Sequence, residues 1–349
     1  MLAAEAGFSP LSDQLELLDG GWSEAVARQA VWLSGLMPYE QAEAVLREIG
    51  QVNISRCSIW RRGAVWGVKF QAQEEAERAQ ANALPEKWAP PSQAVEAGGR
   101  MGVAMDGVMV HVRQEGWKEL KVGAVFDLEV RLGRDEHTHE PVQMAHAVRN
   151  SYAAHLGGPE VFGERLFAEA CRRGWDQAHE TQVVADASAW IWNQVGLHFS
   201  SSRQLIDWYH ADQHLAAAAR LFKGEGTPAF QLWLNSRETA LYQGHAARIA
   251  SELEQAADTL PSVADDLRRE AGYFREHQHR MNYLEMREEE FVIGSGMVEG
   301  CAKQYQARLC GPGMRWSRQR VEHIIPIRTA ILSGRFAEVW RKVYNSPPS

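Results

Sequence analysis

At 349 residues, 45% hydrophobic and 23% charged, the chain is long enough for two or three domains and too apolar to be disordered throughout. No run of about 18 uncharged apolar residues occurs and the N-terminus lacks a basic segment before an apolar block, so neither a membrane span nor a signal peptide is expected, and the cytoplasm is the expected location. The net charge is −8, yet residues 291–349 hold nine Lys/Arg against three Asp/Glu, a local +6 that leaves −14 elsewhere and suits phosphate contacts.

Residues 1–83 read as a helical domain. Ser23–Leu33 sets Val26, Ala30, Val31 and Leu33 at helical spacing; Pro38 opens a second helix over Tyr39–Ile49, which Gly50 ends. Ser55 is placed to cap a third helix carrying Arg56, Ser58, Trp60, Arg61 and Arg62. Helix, Gly-containing turn and a helix with Arg and Ser outline a helix-turn-helix, and equally an ordinary three-helix bundle. Gln71–Ala83 is expected as a separate charged helix, and 84–100, rich in Pro and Gly, as a linker.

The period then changes. Met101–Val112, Trp117–Val130 and Val142–Arg149 are Val-, Met- and Phe-rich and predict three antiparallel strands, with 133–141 as a polar turn. Val161–Arg173 predicts a helix, Thr181–Ala185 a fourth strand, a helix from Ser188 follows, and Gln204–Trp208 is expected as a fifth strand. That order is RNase H-like. The predicted fold is α/β: a helical helix-turn-helix domain, a mixed-sheet core over 101–210, an all-α insertion over 211–290 with solvated charged faces, and the rest of the core over 291–349 with basic C-terminal helices.

Three acids carry the chemistry. Asp106 lies among alternating apolar residues, although Asp106-Gly107 is also a hairpin-turn signal. Asp186 closes an apolar strand, where an acid either caps the next helix or serves a site. Glu299 lies one turn into a helix expected from Ser295 and has Lys303 as an i,i+4 partner. Carboxylates of this kind suit two Mg²⁺ or Mn²⁺ ions, roughly 3.5–4 Å apart, in phosphoryl transfer. Asp207, His210 and His214 are close in sequence without a third ligand of matching type, so Asp207 and His210 are expected to support the site by hydrogen bonds. His137, His139 and His146 read as loop and exposed strand, and Trp190, Ile191 and Trp192 as core. Arg308, Arg315, Trp316, Arg318 and Arg320 around Gly311-Pro312-Gly313 suit phosphate and exposed-base contacts, against a solvated basic helix. Cys57, Cys171, Cys301 and Cys310 are scattered, which fits reduced thiols. No GK[ST] phosphate loop and no GxSxG occurs.

The strings MDGVMVHVRQEGWKELKVGAVF, VVADASAWIW, LIDWYHADQHL and IGSGMVEGCAKQYQARLCGPGMRWS resemble bacterial DDE transposases of the ISKra type of insertion sequence, distant relatives of the mutator-like transposases. The resemblance covers about residues 10–340. It implies a catalytic triad of Asp106, Asp186 and Glu299 with two Mg²⁺ or Mn²⁺ ions. It also implies terminal inverted repeats and target DNA as partners, a homo-oligomer on DNA, a place at the bacterial nucleoid and an N-terminal helix-turn-helix. Lys303 and Arg308 are then candidates to hold the phosphate backbone. Ala187 stands where the family pattern carries Gly, and the N-terminal Cys-containing segment of longer members has no counterpart, which implies a shortened start or altered end recognition. The alternatives are an RNase H-like nuclease without strand transfer and an inactive, transposase-derived DNA-binding repressor.

Overall fold

A computed structural model describes residues 17–18, 21–83, 99–134 and 141–345. In chain order the elements are α1 (Glu24–Leu36), α2 (Tyr39–Glu48), α3 (Arg56–Ala81), β1 (Arg100–Val112), β2 (Gly116–Arg134), β3 (Pro141–His155), α4 (Pro159–Arg172), β4 (Glu180–Ala185), α5 (Ala189–His198) and β5 (Arg203–Ile206). Helices follow: α6 (Trp208–Lys223), α7 (Pro228–Tyr242), α8 (Ala246–Thr259), α9 (Ala264–His277), α10 (Tyr283–Glu288), α11 (Gly296–Leu309), α12 (Arg318–Leu332) and α13 (Phe336–Asn345). By contact density the described residues form two compact units: those up to Glu77 with Met109–Lys118 and those from Gln304, and Arg78–Val108 with Glu119–Lys303.

The first unit is mainly helical. Ser23 caps α1, its hydroxyl accepting from Val26 N at 3.4 Å. The apolar positions at 3–4 spacing, Ala30 and Leu33 of α1 with Ala42 and Leu46 of α2, close around Ile59 of α3. α3 runs unbroken for 26 residues rather than as two helices. Its buried residues, Ile59, Gly63, Trp66, Gly67 and Phe70, sit 3 or 4 apart, and Trp66 stacks on Trp340 of α13 with centroids 4.0 Å apart. Gly67 is needed by close approach: a side chain there would strike the backbone of His323 on α12. Beyond Phe70 the helix continues on ion pairs, Glu77 meeting Arg335 at 3.0 Å and Lys342 at 3.4 Å. The connection from α2 to α3 spans residues 49–55, longer than the roughly three or four residues of a helix-turn-helix turn.

The second unit holds a five-stranded mixed sheet in the order β3-β2-β1-β4-β5. β2 and β3 pair antiparallel; β1, β4 and β5 are parallel, with Val183 opposite Val103 on one side and Gln204 on the other. Met101 to Met105 are all buried, as expected for a strand covered on both faces. α4 packs on β3, and from α6 to α10 the chain is helical, α9 packing against α6 and α8.

Several sequence expectations are corrected. Asp106-Gly107 is not a turn: burial of the strand on both faces overrides the turn propensity, and the chain reverses at Arg113–Glu115 instead. The fifth strand stops at Ile206, because Asp207 caps α6 and draws Trp208 into a helix. Of the expected linker, residues 84–98 lie outside the described residues, as do His137 and His139. No helix among the described residues is long and apolar enough to cross a membrane.

Candidate carboxylate site

The parallel pairing of β1 and β4 runs in register up to Met105 and Ala185. The next residue along each is acidic, Asp106 within β1 and Asp186 just past the end of β4, so the two lie at the same level of neighbouring strands. Local hydrogen bonds orient both. Asp106 Oδ1 accepts from Gly107 N at 2.6 Å. Asp186 accepts from Ser188 N at 2.8 Å and from the Ser188 hydroxyl at 3.1 Å. Asp186 thus braces Ser188, the residue that starts α5, rather than capping the helix itself. Gly107 leaves no room for a side chain unless Glu119 of β2 moves.

Glu299 comes from a different direction. The segment 291–295 is laid beside β4 and β5 by paired polar contacts. Buried Gln182 donates to Val292 O at 2.6 Å and accepts from Val292 N at 3.2 Å, and Trp208 N donates to Ile293 O at 2.9 Å. Asp207, 0% exposed, accepts from His210 N at 3.0 Å through one oxygen and from Ser295 N through the other. One carboxylate thus starts α6 and fixes the residue just before α11, on whose first turn Glu299 sits. Glu299 lies 3.8 Å from Lys303 in a partly exposed ion pair.

The charges converge electrostatically. The Asp106 carboxyl is held above the ordinary carboxylate range, first by burial and then by the negative charges of Asp186 and Glu299; the Gly107 amide and His210 oppose the shift. Among the described residues no three His, Cys, Asp or Glu side chains are grouped to ligate one ion. The donors of Asp106, Asp186 and Glu299 are hard carboxylate oxygens that repel one another, the chemistry that Mg²⁺ or Mn²⁺ relieves. An exposed i,i+4 pair is worth only about 0.3–0.5 kcal/mol, so Lys303 is a weak competitor for Glu299.

Sequence patterns missed part of the surroundings. Tyr273 of α9 has a buried hydroxyl with no hydrogen-bond partner, and its pKa is raised by burial first and then by Asp186, Asp207 and Glu270. Its ring stacks on His214 at 3.6 Å, and His214 Nδ1 lies 2.7 Å from buried Glu270. The signal was the run Glu270, Tyr273, Phe274, His277, whose 3–4 spacing puts polar groups on the inner face of a helix expected to be solvated.

The basic candidates divide by environment. Lys303 is exposed. Arg56 is exposed beside Glu40 at 3.8 Å, Arg61 is exposed, and Arg62 covers Trp22 at 4.9 Å. Arg318 is held by Glu115 at 2.6 Å and Glu322 at 3.3 Å. Trp316 is buried, its indole N–H donating to Leu309 O at 2.8 Å. Arg308 is also buried, whereas Arg315 is exposed; these two, Trp316 and Arg320 line a common cleft. Trp192 and Ile191 are buried and Trp190 partly so. Comparison with protein-family models gives no match, and comparison with curated proteins gives none either.

Proposed function

We propose that the protein is a DNA transposase of the DDE type, with an RNase H-like catalytic unit that cleaves and joins DNA strands by metal-dependent phosphoryl transfer. The observation that carries this reading is the β1–β4 register, which brings Asp106 and Asp186 together, with Glu299 close enough to raise the Asp106 pKa. The sheet order, with β2 and β3 antiparallel and β1, β4 and β5 parallel, supports the RNase H-like assignment.

Asp106 and Asp186 would hold Mg²⁺ or Mn²⁺, with Glu299 completing a two-ion set. When bound, such ions activate an oxygen nucleophile and stabilise the leaving oxygen of an in-line displacement at phosphorus. The chain's own residues orient the acids: Ser188 fixes Asp186, the Gly107 amide fixes Asp106, and Asp207 fixes the start of the Glu299 helix. Arg56, Arg61 and Arg62 on α3 are the proposed contacts to terminal-repeat DNA, as the second helix of a helix-turn-helix with a lengthened connection. Lys303, Arg308, Arg315, Trp316, Arg318 and Arg320 form the second basic set. A homo-oligomer assembled on DNA at the nucleoid belongs to the same reading.

The test uses DNA carrying the inverted repeats that flank the gene. Single replacement of Asp106, Asp186 or Glu299 by Ala should lower Mg²⁺-dependent cleavage and joining by about 10³-fold or more, with repeat binding retained. Wild-type rates in any of the three variants would reject the site. Cleavage without joining would reduce the reading to a nuclease.

A further inference from the structure

The unit that contains the N-terminal helices and the residues from Gln304 onward has a cleft of about 270 Å³ that the carboxylate site does not use. Its walls include three arginines, Arg308, Arg315 and Arg320, and three aromatic residues, Tyr39, Trp60 and Trp316. Arg308 is 2% exposed; its Nε donates to Ser34 O at 2.8 Å, while its Nη2 is buried without a hydrogen-bond partner. Nη1 of Arg320 is buried and unpartnered as well. Neighbouring Arg318 is neutralised by Glu115 and Glu322, but among the described residues no carboxylate pairs with Arg308, Arg315 or Arg320.

Buried guanidinium donors without acceptors are costly, and a phosphate supplies several acceptor oxygens at once. The Arg320 guanidinium lies over the Trp60 ring at 3.7 Å, yet Trp60 remains 37% exposed. Charge and aromatic surface therefore occur side by side, the pairing that single-stranded nucleic acid uses. The volume is near the lower end of ligand pockets, about 300–1,000 Å³, which suits one nucleotide and is too small for a duplex segment.

We infer that this cleft holds one unstacked nucleotide of a DNA single strand, its phosphate on Arg308, Arg315 and Arg320 and its base against Trp60. The inference rests on reading the protein as acting on DNA and gives that reading a strand-capturing site separate from the carboxylates.

The experiment uses the full chain and a fluorescent single-stranded oligonucleotide of mixed sequence that carries one 5-iododeoxyuridine. Binding is followed by anisotropy, and ultraviolet crosslinks are mapped to peptides. Trp60→Ala and Arg320→Gln should each weaken single-strand binding by about tenfold, with Trp60→Phe close to wild type. The crosslink should fall on Trp60 or Tyr39. Inorganic phosphate alone should compete only weakly, since it lacks the stacked base. Circular dichroism identifies a misfolded Trp60→Ala, in which case Trp60→Phe, Arg320→Gln and the crosslink map decide. Unchanged affinity in folded variants, or crosslinks confined to other peptides, overturns the inference. The two readings separate cleanly. Capture at Trp60 by a wild-type protein that never cleaves DNA keeps the cleft and removes the transposase. Cleavage with unaltered binding in the variants does the reverse.

Discussion

Asp106 is the residue where geometry and electrostatics meet. Its carboxyl is raised by burial and by two neighbouring acids, so its ionised form is disfavoured in the fold. For an acid whose folded pKa exceeds the unfolded one, the native state binds more protons within that window, and stability falls as pH rises through it. Asp106→Asn should therefore raise the melting temperature at neutral pH, on the order of 2 °C. The gain should vanish below the ordinary Asp pKa of about 3.9, where both states are protonated. A melting temperature unchanged or lower at pH 7.5 would contradict the assigned repulsion. Asp207 has a structural part, because both its oxygens accept backbone N–H groups. Asp207→Ala should cost about 2–3 kcal/mol in urea denaturation and Asp207→Asn roughly half, since one acceptor survives. Equal stability of Asp207→Ala and wild type would remove its anchoring role.

At the scale of elements, the strands were legible because apolar runs rich in Val, Met and Phe lie between turn residues, and β1 to β4 fall on those runs. Their ends were less so. Trp208 looks strand-like, but a cap such as Asp207 acts through a backbone N–H three residues on, which composition does not display. The two helices expected over 55–83 merge because Glu77 finds Arg335 and Lys342, partners more than 250 positions away in the chain. The inward face of α9 was missed for a similar reason: Glu270 and Tyr273 look solvated until α6 supplies His214. The buried Tyr273 hydroxyl makes no hydrogen bond. Tyr273→Phe should thus leave stability within about 0.5 kcal/mol of wild type or raise it. A loss of several kcal/mol in denaturant titration would mean that the hydroxyl has a partner of its own.

For the molecule as a whole, the asymmetry of charge was visible in the sequence, but the use of each charge was not. C-terminal arginines serve internal contacts, among them Arg308 on Ser34 O, Arg318 on Glu115, Arg328 on Gly35 O and Arg335 on Glu77. The three candidate acids were legible as isolated positions, and their placement on the fold required the strand register and the Asp207 anchor. If α3 contacts duplex phosphates, Arg61→Ala should reduce the slope of log K against log salt by about 0.9. An unaltered slope in filter binding at several salt concentrations would take Arg61 out of the interface.

On the proposed reading, Asp106, Asp186 and Glu299 grip divalent cations together. Anomalous diffraction from crystals grown with Mn²⁺ measures this directly. Manganese peaks should lie within coordination distance of Asp106 and Asp186, with Glu299 turned away from Lys303 toward them. Crystals saturated with Mn²⁺ that show no peak there, or carboxylates facing separate environments, would contradict that reading.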